Sequence, residues 1–150
     1  MGADHDETLQ NIDEWIEMLL RDLSDWLIIV EGKKDILALE NLGIDIDAVP
    51  LNKGFSTLEL LERIWRGDGE FDRFKDKEGI VILTDWDRTG GRLARSLGEK
   101  CRFLGIPFDL DRRRNLARMT GKWVRDVESL DTFYLTLKEG RSPSFTWDII

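Results

Sequence analysis

Apolar positions along the chain alternate between two rhythms. Over residues 8–23 (TLQNIDEWIEMLLRDL), Leu9, Ile12, Ile16, Leu19, Leu20 and Leu23 recur at intervals of three and four, which predicts an amphipathic helix. Asp6 or Thr8 is placed to cap it. The helix is expected to dock on the rest of the chain, with a dimer contact as the alternative. Trp26–Val30 (WLIIV) is an unbroken apolar run, as expected of a parallel strand buried on both faces. It stops at Glu31-Gly32. Residues 34–42 predict a short helix, with Ile36, Leu37, Leu39 and Leu42 apolar. Residues 46–51 (IDAVPL) predict a second strand, weakened by Pro50. Asn52-Lys53-Gly54 reads as a turn. Ser56 then caps a helix through Trp65, with Glu59 placed for a capping box.

Residues 67–78 (GDGEFDRFKDKE) are polar and read as a loop. Ile80–Leu83 is a third strand. Thr89–Leu104 is a helix with Leu93, Ala94, Leu97, Cys101 and Leu104 on its apolar face, ended by Gly105. Ile106–Leu110 is a short fourth strand, and residues 111–119 a short helix holding an arginine cluster. Asp126 is expected to cap a last helix striped by Val127, Leu130, Tyr134 and Leu137. The final segment, RSPSFTWDII, reads as irregular.

A helix followed by β-α-β-α-β-α-β and further helices implies the α/β class: an open, mainly parallel four-stranded Rossmann-like sheet flanked by helices. At 150 residues the chain fits one domain. Ligands of such sheets bind beyond the carboxyl ends of the strands, where strand order reverses. The expected boundaries are an N-terminal helical extension over 1–24, the sheet domain over 25–110, and a basic, helical C-terminal extension of it over 111–150.

Charge sharpens this picture. The net charge is −8 and the pI about 4.7, which taken whole disfavours a nucleic-acid partner. The distribution points the other way. Residues 1–80 carry 9 Lys/Arg and 20 Asp/Glu, whereas residues 88–125 carry 11 Lys/Arg and three acids. A basic segment in an acidic chain predicts an anionic ligand near it; the competing reading is a solvated helix face. One cysteine excludes an internal disulfide and favours a reducing, cytoplasmic location. No apolar run is long enough for a membrane span, and the acidic start is unlike a secretory signal.

Acids cluster at two strand ends. Glu31 ends the first strand, and Asp85 and Asp87 follow the third. Adjacent carboxylates repel unless a cation or a shared proton lies between them. Three oxygen-donor groups on one rim suit one or two hard cations, Mg²⁺ or else Mn²⁺, able to clamp a phosphodiester. Gly32, Gly54, Gly90 and Gly91 would let backbone approach a ligand. The helix starting near Thr89 would turn its amides toward a phosphate. Lys33, Lys34, Lys53, Arg88, Arg92, Arg112, Arg113 and Arg114, with Gly54, are the candidate phosphate or nucleic-acid contacts. An Asp-x-Asp alone is more often a cap and a turn than a metal site.

VEGKKD (Val30–Asp35) and ILTDWDRTG (Ile82–Gly90) resemble the two signature motifs of the Toprim domain, over about residues 25–110. That domain is shared by topoisomerases, bacterial-type primases, recombination-repair nucleases and the maturase of 5S ribosomal RNA. The chain is most similar to small stand-alone archaeal Toprim proteins, primase-like and maturase-like. The resemblance implies Glu31 as general acid or base and metal ligand, with Asp85 and Asp87 as Mg²⁺ ligands. It implies nuclease or RNA-processing activity, with RNA favoured over DNA and a protein partner or homodimer as a further possibility. Trp86, between the aspartates, would cover the turn or stack on a base.

Other chemistries fit less well. A single histidine, His5, disfavours hydrolase triads. Cys101 lies on an apolar face, and zinc has no ligand set. Tyr134 sits on a helical stripe, which disfavours a tyrosine nucleophile. A non-catalytic, metal-dependent nucleic-acid-binding subunit needs the same acids and stays open. An aspartyl phosphatase would use Asp85, Asp87 and Thr89 as its Asp-x-Asp-x-Thr, but Thr120 and Lys122 are poorly spaced for its downstream residues and Glu31 would be idle.

Overall fold

A computed structural model of the chain describes residues 3–51 and 54–141, with side chains from His5 onward. The first helix, α1 (Ala3–Asp22), is longer than predicted. Thr8 is consequently buried inside it rather than capping it. The strand-helix alternation follows as β1 (Leu27–Val30), α2 (Lys33–Asn41), β2 (Ala48–Pro50), α3 (Thr57–Arg66), β3 (Ile80–Ile82), α4 (Arg88–Leu104), β4 (Phe108–Asp109), α5 (Asp111–Thr120) and α6 (Leu130–Lys138).

The four strands form one parallel sheet in the order β2-β1-β3-β4. β1 and β3 are central, so their side chains must be apolar on both faces. Leu27, Ile29, Ile80 and Ile82 pack under α3 and α4, against Leu60, Leu61, Ile64, Leu97 and Cys101. Ile28, Val30, Val81 and Leu83 face the other way, onto Trp15 and Leu19 of α1, Leu116 of α5 and Leu130 of α6. Pro50 is tolerated because β2 is an edge strand, where a missing N–H breaks no inner ladder. Its neighbour Leu51 still donates to the Val30 carbonyl at 2.9 Å.

Two expectations are corrected. The polar stretch 67–78 is not an open loop: Gly69–Phe74 is a 3-10 helix, and Phe71 and Phe74 are both 2% exposed. Their spacing of three matches the 3-10 period, a signal masked by the charged residues around them. The last helix begins at Leu130, not after Asp126. Asp126 instead accepts the Ser129 N–H at 2.8 Å in the preceding turn, and Val127 is buried in that turn. The expectations for Asn52, Lys53 and residues 142–150 lie outside the described residues. α1 docks on α5 and α6. Ile12 completes a satellite cluster with Trp123, Phe133 and Leu137, and the Trp15 indole donates to the Arg112 carbonyl at 3.1 Å.

Candidate metal and nucleic-acid site

Strand order reverses between β1 and β3. β1 leads outward to β2, while β3, on its other side, leads to β4. The crevice expected of a parallel α/β sheet therefore opens beyond the ends of β1 and β3. Glu31 follows β1 and Asp85 lies three residues past β3. Glu31 Oε2 accepts the Asp85 N–H at 2.8 Å. That bond joins groups 54 residues apart in sequence and locks the two strand ends together.

The segment from Thr84 to Gly90 is tightly folded. Asp87 caps α4, its Oδ1 accepting the Gly90 N–H at 2.7 Å. The buried Thr84 hydroxyl donates to the Gly90 carbonyl at 2.8 Å. A Cβ on Gly90 would lie 1.8 Å from the Asp85 carbonyl oxygen. Gly90 thus serves contact between backbone segments, not approach of a ligand. At Gly91 the nearest atom to such a Cβ is an Arg113 guanidinium nitrogen at 3.7 Å.

A third wall comes from residues 124–127. The Val127 N–H donates to Asp85 Oδ1 at 3.0 Å, the Trp86 N–H to the Arg125 carbonyl at 2.9 Å, and the Trp86 indole to the Val124 carbonyl at 2.7 Å. Trp86 is half-buried against the α1–α5 side of the core. Of its two expected roles, covering the turn is the one these contacts serve. Sequence reasoning missed this wall because it placed Val127 on the stripe of the last helix, which begins only at Leu130, and the residues before it carry no periodic apolar signal. It also left Asp35 out of the site. Asp35 is buried and accepts the Gly32 N–H at 2.9 Å. A signal existed, since an acid three residues after the helix cap marks a capping box.

Electrostatics follow from this enclosure. Burial pushes the Asp85 carboxyl from 3.8 up to about 7; the Val127 N–H opposes the shift, while the charges of Glu31, Asp35 and Asp126 add to it. Burial likewise raises Asp35, against the pull of the Gly32 N–H. A cation, Arg113, reaches this rim from α5. Its Nε donates to the Thr84 carbonyl at 3.0 Å and its Nη2 to the Asp85 carbonyl at 2.7 Å. Burial lowers the Arg113 pKa, while the charges of Asp87, Glu31 and Asp85 support the guanidinium.

The other candidate cations are placed differently. Arg112 turns toward α1, its Nη1 3.1 Å from the Met18 sulfur and its Nε 3.9 Å from Asp109. Arg114 is exposed and paired with Asp111 at 3.0 Å. Lys34 lies 3.9 Å from Glu128, and Lys33 is exposed. Arg88 and Arg92 stand exposed on the first turns of α4, and Arg95 continues that stripe one turn on. Gly54 is exposed with φ +79°, a left-handed turn position that favours glycine; Lys53 is outside the described residues.

The Toprim domain pattern matches residues 26–117, which takes in β1 through most of α5 and with them Glu31, Asp85, Asp87 and Arg113. The chain belongs to the Toprim domain family. It is similar to a UPF0292 protein of Methanosarcina acetivorans, 39% identical over 137 residues and covering 88% of each chain. It is also similar to a UPF0292 protein of Methanocaldococcus jannaschii, 33% identical over 128 residues, 85% of this chain and 93% of that one. A solved structure, a putative protein from Aquifex aeolicus, shares the fold with a TM-score of 0.62 at 24% identity, over 80% of this chain and 98% of that one.

Toprim domains generally bind divalent cations and are associated with nucleic acid, and the donor set here suits such an ion. Among the described residues no three His, Cys, Asp or Glu side chains close into a ready cage. Each of Glu31, Asp85 and Asp87 gives one oxygen to a backbone N–H. The second oxygen of each makes no hydrogen bond among the described residues. Mg²⁺ accepts that arrangement, since it keeps several waters and takes only one or two carboxylates beside substrate phosphates. No helix among the described residues is long and apolar enough to cross a membrane.

Because Asp87 is both cap and candidate ligand, substitution separates the two. Asp87→Asn keeps a capping oxygen, so its loss of stability should stay under about 1 kcal/mol. Asp87→Ala should cost about 1 kcal/mol more. Thermal melts of the two variants, paired with Mn²⁺ titrations, measure the cap and the ligand independently. Equal stabilities would show that the cap contributes little.

Proposed function

We propose that the protein carries out Mg²⁺-dependent phosphodiester hydrolysis on nucleic acid, with structured RNA as the favoured substrate. The observation that carries this reading is the Glu31–Asp85 junction at the switch point, with Asp87 beside it at the start of α4. In this reading Asp85 and Asp87 would hold a divalent ion through their second oxygens, and such an ion would supply Lewis-acid stabilisation of phosphate charge. Glu31 takes or returns the proton of the attacking or leaving oxygen. Its link to the Asp85 N–H fixes it next to the ligands. The amides of α4 ahead of Gly90, whose N–H Asp87 takes, and the exposed Arg88–Arg92–Arg95 stripe would hold backbone phosphates. The preference for RNA rests on the likeness to the maturase alone.

One observation favours a second reading, a metal-dependent binding subunit without turnover. Every one of the three carboxylates is already engaged by a backbone N–H, which restrains the movement a reaction cycle needs. The phosphatase reading has less support. Thr120 is fully buried and its hydroxyl donates to the Leu116 carbonyl at 2.7 Å, so it is no downstream phosphate contact.

Labelled structured RNA, single-stranded RNA and DNA incubated with Mg²⁺, Mn²⁺ or EDTA separate these readings. Metal-dependent cleavage, lost at least a hundredfold in Asp85→Asn, is the expected result. Metal-dependent retention of label without cleavage would favour the binding subunit. Neither cleavage nor retention would sink both.

A further inference from the structure

The geometry points to Arg113 as the group that grips the substrate phosphate, through the edge of its guanidinium left over after it is anchored on the main chain. This inference rests on the nucleic-acid reading of the site. A guanidinium carries five N–H groups in a rigid plane. One edge of Arg113, formed by Nε and Nη2, is spent on the carbonyls of Thr84 and Asp85. The other edge, formed by Nη1 and the second Nη2 proton, makes no hydrogen bond among the described residues. Two bonds to rigid strand-end backbone fix the plane before any ligand arrives, so little side-chain entropy remains to be lost.

The surroundings explain why this guanidinium would meet a phosphate. It lies among the charges of Asp87, Glu31 and Asp85, and 3.7 Å separates it from the Cβ position of Gly91 in the first turn of α4. A phosphate brought to those carboxylates by a cation therefore arrives beside the free edge and the α4 amides. Paired N–H donors match two non-bridging phosphate oxygens. Arg112 and Arg114, its sequence neighbours, are held by Met18 and Asp109 and by Asp111. The arginine cluster thus divides: one member serves the site and two serve the α1 side and the surface. In the chemical step Arg113 would hold charge on the non-bridging oxygens and transfer no proton.

The test is binding, not turnover. Fluorescein-labelled RNA hairpin and single-stranded DNA are titrated with wild type, Arg113→Gln and Arg113→Lys across a salt series, with Ca²⁺ in place of Mg²⁺. Gln still donates an amide N–H to a strand-end carbonyl but brings no charge. For the probe that binds, the slope of log affinity against log salt should fall by about 1 in Arg113→Gln and be kept in Arg113→Lys. Mn²⁺ affinity should be undiminished in Arg113→Gln, while its melting temperature should fall by a few degrees as the two bonds to the strand-end carbonyls are reduced to one. An unchanged slope would overturn the assignment. So would a loss of stability and Mn²⁺ affinity without a change in slope, because Arg113 would then be a scaffold only. Failure of wild type to bind either probe would overturn the nucleic-acid reading itself, a result distinct from both.

Discussion

Gly90→Ala is expected to unfold the protein or leave it destabilised by more than about 4 kcal/mol, a range reached by few single substitutions. The added methyl would sit 1.8 Å from the Asp85 carbonyl oxygen and 2.5 Å from its carbon. Both neighbours are backbone, so no rotamer change relieves the clash. Asp85 cannot retreat, because its N–H is held by Glu31, its carbonyl by Arg113 and its carboxylate by Val127. Gly91→Ala, one residue on, is the control. Its methyl meets nothing closer than 3.7 Å, and replacing glycine within a helix stabilises by up to about 1 kcal/mol. Circular-dichroism melts of the two variants test this. Similar melting temperatures would mean that the Asp85–Gly90 contact is looser than described.

Asp85→Asn is expected to stabilise the fold at alkaline pH while removing metal affinity. The folded-state carboxyl is raised to about 7 from 3.8. Between those values the native state binds a proton that the unfolded chain does not. Stability therefore falls as pH rises through that window, and the full penalty stands above pH 7. Unscreened, a shift of that size corresponds to about 4 kcal/mol. Asp85 is only half-buried, so solvent screening reduces the expected effect to the order of 1–2 kcal/mol. Asn keeps an oxygen for the Val127 N–H without the charge, and its stability should be flat over the same range. Mn²⁺ affinity should drop at least tenfold, because an amide oxygen is a weaker ligand for a hard cation. Denaturant melts at pH 5 and pH 8, with and without Mn²⁺, read both effects. A wild-type protein equally stable at both pH values without metal would show that Asp85 is not confined as described, and unchanged Mn²⁺ affinity in Asp85→Asn would remove it from the ligand set.

The two effects have one origin. A carboxylate taken half out of solvent, with the charges of Glu31, Asp35 and Asp126 adding to that burial, is costly to ionise, and a divalent cation relieves that cost by pairing with it. Metal binding and stability should therefore be linked, with Mn²⁺ raising the wild-type melting temperature more at pH 8 than at pH 5.

Much of this was legible in the sequence for a local reason. Strands buried on both faces must be unbroken apolar runs, so WLIIV and IVIL announce β1 and β3. Acids directly after them announce the rim, since a parallel sheet exposes its strand ends there. Capping chemistry is equally local, and Ser56 does accept the Glu59 N–H as predicted, at 3.2 Å. The structure alone decided what depends on distant partners. Which of Arg112, Arg113 and Arg114 faces the acids is set by how α5 lies against α1 and β3, and no spacing rule within three consecutive arginines encodes it. The wall at 124–127 is irregular backbone whose donors and acceptors find partners only across the sheet end. Gly90, read as an approach for ligand, proved to be an approach for Asp85. Only the folded loop brings those two backbones into contact.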